Sequence, residues 1–148
     1  NQLDEQAFWN WLPEAVRALI PTAKIADFIA TVKPNTVFPN DVIYWAKVFF
    51  GEHGFEQEAK VLLSTTPPEF FTTAQRLAAL TTSYTELSKG LQQAGFKGKA
   101  LFQPLRAALT GCLHGPELAG IFKLLDKAEL VKRLAPPSFA GNSDATDL

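Results

Sequence analysis

The sequence predicts an all-α fold, a non-repetitive bundle of short helices, and three observations carry that reading. Apolar residues recur at three- and four-residue spacing along most of the 148 residues. No stretch alternates Val, Ile or Thr strictly with polar residues over enough length to require a strand, and no long internal repeat stands out. Ten prolines and nine glycines cut the helical pattern into short pieces. A hydrophobic share of 47% supplies enough apolar surface for a core.

Taken in order, Asp4 can cap a first helix carrying Phe8, Trp9, Trp11 and Leu12. Pro13-Glu14 then reads as the first turn of a renewed helix with Val16, Leu19 and Ile20, which Pro21 ends. Thr22 is a candidate cap for a segment in which Ile25, Phe28, Ile29 and Val32 share a face, closed by Lys33-Pro34-Asn35. After a connector at Val37-Phe38-Pro39, Asn40-Asp41 opens a deeply packed helix that reaches Phe50 and stops at Gly51. A shorter helix is expected from Phe55 to Leu63.

Thr65-Thr66-Pro67-Pro68-Glu69 combines a break with a helix start, so a boundary is expected there: an N-terminal helical lobe over 1–66 and a C-terminal lobe over 67–137. The second lobe begins with a helix through Phe70, Phe71, Ala74, Leu77, Ala78 and Leu80. Another runs from Tyr84 to Ala94 and ends at Gly95. Lys97-Gly98-Lys99 leads into a helix with Leu101, Phe102, Leu105, Ala108 and Leu109 inward, stopped by Gly111. From Pro116, residues Leu118, Ile121, Phe122 and Leu125 trace one face, and a last helix around Lys127 carries Leu130, Val131 and Leu134. Pro136-Pro137 closes the ordered part, and 138–148 is expected to be a flexible tail.

Composition excludes several functions. One cysteine, Cys112, cannot form an internal disulfide, and His53 and His114 make no clustered zinc set. No apolar run is long enough for a membrane span, and the first residues lack a signal peptide's basic start, so a cytoplasmic setting is expected. Without a methionine, the chain reads as an excised piece of a longer one.

The net charge of -1 conceals a division along the chain. Residues 1–83 hold six Lys/Arg against nine Asp/Glu, whereas residues 84–137 hold eight against four. Between Glu86 and Glu117 there is no acid at all. A local cationic surface is compatible with nucleic acid, although such an excess is often only a solvated face.

The most specific segment runs from Lys97 to Leu134. It contains Gly98-Lys99, then Pro104-Leu105-Arg106-Ala107-Ala108-Leu109-Thr110-Gly111, then Gly115-Pro116, Leu124-Leu125, Lys127 and Arg133-Leu134. In this order and spacing the segment resembles the closing part of bacterial glutamyl-tRNA synthetases, and Trp45-Ala46-Lys47-Val48-Phe49-Phe50-Gly51 resembles an aromatic helix end in the same family. The resemblance implies the all-α anticodon-binding half of a class I synthetase. Two departures stand out: Asp126 occupies the family's glycine after Leu-Leu, and Ala128 intervenes before Glu129.

The residues support that reading independently. At about 100° per residue, Arg106 falls at the edge of the stripe centred on Leu105, so its stem packs while its guanidinium reaches out. A fork held in that way can hydrogen-bond or stack on unpaired bases; the bland alternative is an arginine bridging two helices. Gly115-Pro116-Glu117 reads as a helix start with Pro at its first position, offering backbone N–H groups. The resemblance assigns Arg106, Gly115, Pro116 and Leu118 to the anticodon pocket, with Leu118 as an apolar wall or, equally well, a core contact. Lys97, Lys99, Lys123, Lys127, Lys132 and Arg133 are candidate phosphate contacts. Thr110 and Gly111 shape a turn, and His114 reads as a surface-loop histidine.

The sequence lacks the two ATP-site signatures of class I synthetases, His-Ile-Gly-His and Lys-Met-Ser-Lys-Ser, and has no phosphate-cradling glycine loop. The resemblance therefore implies no catalysis and no cofactor in this chain, with ATP and magnesium belonging to an absent catalytic half. The implied partner is the glutamate tRNA, with the glutamine tRNA left open, bound by a monomer. The alternative is a helical protein-interaction scaffold that kept the fold without RNA contact.

Overall fold

A computed structural model describes residues 2–35, 39–51, 54–81 and 83–137, and these fold as ten α-helices with no strand among them. The first four are α1 (Gln2–Trp11), α2 (Glu14–Arg17), α3 (Ile25–Val32) and α4 (Pro39–Phe50). They are followed by α5 (Gln57–Thr65), α6 (Pro68–Leu80), α7 (Tyr84–Gln93), α8 (Lys99–Thr110), α9 (Leu118–Leu124) and α10 (Lys127–Arg133). Short 3-10 turns at Thr22–Lys24 and Lys33–Asn35 flank α3. No helix among the described residues is long and apolar enough to cross a membrane. Residues 138–148, His53 and most of the connector at 36–38 lie outside the described residues.

The expected elements recur with local corrections. Asp4 lies within α1 rather than before it, and α2 is a single turn that stops short of Ile20. Pro21, not Thr22, precedes the turn leading into α3. A side-chain cap starts α7, where the Ser83 hydroxyl accepts from the Glu86 N–H at 3.2 Å. Pro67 and Pro68 open α6, the position at which a missing N–H costs nothing.

α8 is deeply buried and packs against α5, α7 and α10. Leu101, Leu105 and Leu109 form one fully buried column, and Pro104, Ala107, Ala108 and Thr110 are buried too. α5 lies along it with Ala59 and Leu63, while α7 and α10 bring Leu87, Leu91, Leu130 and Leu134 to the same core. On the other flank, the buried face of α3, Phe28, Ile29 and Val32, packs on α9. Gly120 permits that approach: a Cβ there would stand 2.5 Å from the Thr31 hydroxyl. Packing thus crosses the line between 66 and 67, with α3 and α5 from one side set against α9 and α8 from the other. The double proline marks a helix break, not a division of the core.

Asp126, the residue that departs from the family's glycine, has a local task. Its carboxylate accepts from the Glu129 N–H at 2.8 Å and caps α10. Asp126→Ala should lower stability by about 1 kcal/mol, read as a lower urea midpoint, whereas Asp126→Asn should hold it.

Candidate nucleic-acid interface

The site is built where the end of α8 meets the turn leading into α9. Gly111 ends α8 in the left-handed region, with φ of 78°, and its N–H bonds back to the Ala107 carbonyl at 2.8 Å. Thr110 ties this corner: its hydroxyl donates to the Arg106 carbonyl at 2.8 Å and accepts from the Cys112 N–H at 3.0 Å. The chain then turns through Gly115, whose φ of 135° excludes most side chains. A Cβ on Gly115 would also fall 2.5 Å from the Trp45 ring, so the backbone lies directly against that indole. Trp45 is in turn stacked on Phe49, with ring centroids 5.7 Å apart.

Arg106 is half-buried, and among the described residues its guanidinium makes one hydrogen bond, from Nη1 to the Pro116 carbonyl at 2.5 Å. Burial lowers its pKa, opposed by the nearby Tyr84 and Cys112 side chains; an arginine remains charged at neutral pH. Tyr84, at the start of α7, packs edge-on against Phe122 of α9 with centroids 5.7 Å apart. One nitrogen of the fork is therefore fixed to the α9 entry, which leaves a charged, oriented group with further donors.

The four residues that the resemblance assigns to an anticodon pocket divide. Arg106 and Pro116 are brought into contact and Gly115 adjoins them, but Leu118 is only 6% exposed and belongs to the core, as its bland reading had it. The helix start also moves. Glu117 is the residue that precedes α9 and Leu118 is its first helical residue, so Pro116 stands outside the helix and contributes a carbonyl rather than a helical first turn. The reason is its partner: once Arg106 draws that carbonyl inward, Pro116 is held as part of the turn.

Of the candidate phosphate contacts, Lys97, Lys99, Lys123, Lys127 and Lys132 are exposed. Lys127 Nζ donates to the Ala79 carbonyl at 3.2 Å. Lys123 lines a groove of about 550 Å³ between α3 and α9, together with Asp27, Thr31, Gly115 and Glu117. Arg133 is a correction. It is 7% exposed, its Nε donates to Glu129 at 2.7 Å and its Nη1 to the Leu109 carbonyl at 2.8 Å, so its donors are used inside the protein. Burial lowers its pKa, and Glu129 raises it. Arg133→Ala should cost about 1 to 3 kcal/mol, because it strands the buried Leu109 carbonyl, and should leave the salt dependence of RNA binding unchanged.

Cys112 is buried, 2.8 Å from the Tyr44 hydroxyl, and burial pushes its thiol up, which keeps it protonated and unreactive. His114, with a side chain 74% exposed, stands 4.0 Å from Glu56. Among the described residues no group of three or more His, Cys, Asp or Glu could hold a metal.

Phe102, expected on the inward face of its helix, is 43% exposed. It lies four positions before Arg106 and three after Lys99, so all three share a face of α8, within about 40° of Arg106. That spacing was the available signal. The support of Gly115 by Trp45 had none, because the two are 70 positions apart.

Residues 6–136 match the family model described as an anticodon binding domain. The chain is 42% identical over 136 residues to glutamate-tRNA ligase 2 of Acidithiobacillus ferrooxidans, an alignment covering 90% of this chain and 28% of that protein. It is 38% identical over 143 residues to glutamate-tRNA ligase 1 of Coxiella burnetii, covering 90% and 30%. Against glutamate-tRNA ligase 2 of Nitrosococcus oceani it is 42% identical over 130 residues, covering 84% and 27%. The chain thus spans less than a third of the length of these relatives. No solved structure matches it.

Proposed function

Because this chain belongs to the anticodon binding domain family, we propose that it recognises the anticodon loop of the glutamate tRNA, as the corresponding part of a glutamate-tRNA ligase. The observation that carries this is the Arg106 side chain, tied by one guanidinium nitrogen to the Pro116 carbonyl and still partly open to solvent. An anticodon loop presents unpaired bases, and proteins read such bases by hydrogen bonds to their edges and by stacking. A fork fixed at one corner pays little further entropy to make those bonds. The exposed lysines would then add affinity through phosphates without choosing a sequence.

The proposal places the ATP- and magnesium-dependent joining of glutamate outside this chain, and no step of that reaction is assigned to its residues. It also takes the module to act as a monomer in the cytoplasm, with the glutamine tRNA as the ligand against which its choice is measured.

The test is a titration of the glutamate tRNA's anticodon stem-loop by fluorescence anisotropy at several salt concentrations. Affinity should fall linearly on a log-log plot as salt rises, with a slope set by the phosphates contacted. A protein-interaction scaffold would show no binding of the loop even at low salt, and that result would remove the proposal.

A further inference from the structure

We propose that Phe102 is a stacking platform for an unpaired base of the bound RNA loop, one helical turn from Arg106 on the exposed face of α8. This rests on the reading of the chain as an anticodon-loop binder and adds a contact to it. An aromatic ring 43% exposed on the open face of α8, whose other large apolar side chains are buried, gains nothing from water, and an apolar surface laid on it would be favoured.

Its surroundings indicate which one. Among the described residues, the exposed large apolar side chains are Trp11, Tyr44, Val61, Leu80 and Phe102. Of these, only Phe102 has a Lys or Arg three or four positions away on both sides, Lys99 and Arg106. Those intervals are one helical turn, so the two basic residues stand about 5 Å before and about 6 Å after Phe102 along the helix axis, on its face of α8. A ring with cations fore and aft suits a ligand that alternates apolar faces with negative charge, which is the chemistry of a single-stranded nucleic acid. An apolar protein partner would instead have to bury both charges against its own surface.

Labour would then divide along one face. Arg106 makes directional hydrogen bonds, and its loss changes which loop is preferred. Phe102 offers a flat surface to whichever base is laid on it, because every base has an aromatic face, and its loss weakens all loops alike. The ring of Tyr84, packed on Phe122 beside Arg106, is already engaged within the protein and does not compete for that base.

The experiment compares wild type, Phe102→Leu and Phe102→Tyr against the anticodon stem-loop and against versions lacking one loop base at a time. Phe102→Leu should weaken binding of the intact loop by about 5- to 150-fold, and Phe102→Tyr should hold it. Against one abasic loop, wild type and Phe102→Leu should bind equally, which identifies the stacked base. Superimposable thermal melts establish that the variants remain folded. The stacking role falls if Phe102→Leu binds the intact loop as wild type does, or if its deficit persists unchanged on every abasic loop. If wild type itself fails to bind the intact loop at low salt, the anticodon reading fails first and takes this contact with it.

Discussion

Replacing Gly111 with alanine should destabilise the protein by about 2 to 4 kcal/mol, seen as a drop of several degrees in melting temperature. Two independent causes add at this position. The residue sits at φ of 78°, where an added Cβ costs about 1 to 2 kcal/mol of backbone strain. The new Cβ would also lie 1.9 Å from the Gly54 carbonyl oxygen, and a backbone oxygen has no rotamer by which to escape. That carbonyl belongs to the segment leading into α5, and the same contact is closed from the other side by the Glu56 N–H donating to the Gly111 carbonyl at 2.8 Å. Forcing the two apart would therefore loosen α5 from α8, the principal pairing around the central helix. Gly95→Ala provides the internal standard. Its φ of 103° is also left-handed, but nothing lies within 4 Å of its missing Cβ, so it should show only the backbone cost. Equal losses for the two variants would mean that the Gly54 contact gives way without penalty.

The second large effect is on binding. Arg106→Ala should weaken the cognate anticodon loop by about 1 to 3 kcal/mol, a loss of roughly 5- to 150-fold, and should narrow its preference over loops of altered sequence. Stability should fall much less, by about 1 kcal/mol, as the buried Pro116 loses the donor to its carbonyl. Arg106→Lys separates charge from shape. It retains the cation but not the planar fork, so affinity should remain well below wild type although the response to salt is nearly unchanged. Lys123→Ala should behave in the opposite way, with a smaller loss shared by all loops and a shallower salt slope. If Arg106→Ala binds the cognate loop like wild type, the guanidinium is only a strut between α8 and the turn before α9.

That contrast between strut and reader explains how much of the site was legible. The Pro104-to-Gly111 run identified Arg106, and its place at the edge of the apolar stripe correctly put it neither inside nor fully outside. The same run could not tell which neighbour would hold the guanidinium, because Pro116 reaches it only after the Gly111 and Gly115 turns fold the chain back. Arg133 shows the converse. A basic residue at the end of a sequence motif looks free, yet its stem lies on the buried face of α10 with Glu129 one turn before it and the Leu109 carbonyl opposite. Phe102, expected inward with Leu101 and Leu105, lies instead on the face that carries Lys99 and Arg106.

The helical class and nearly every helix and break are legible along the chain, and the Pro104-to-Gly111 run points to Arg106 as the candidate reader. These are local properties: spacing along one helix, the missing N–H of proline and the left-handed turns open to glycine act within a few residues. The packing of distant segments is what unites the residues on either side of 66 in one core, brings Gly111 to Gly54 and Gly115 to Trp45, and buries Arg133. Contacts between distant positions follow from how several amphipathic faces are satisfied at once, and no single face carries that information.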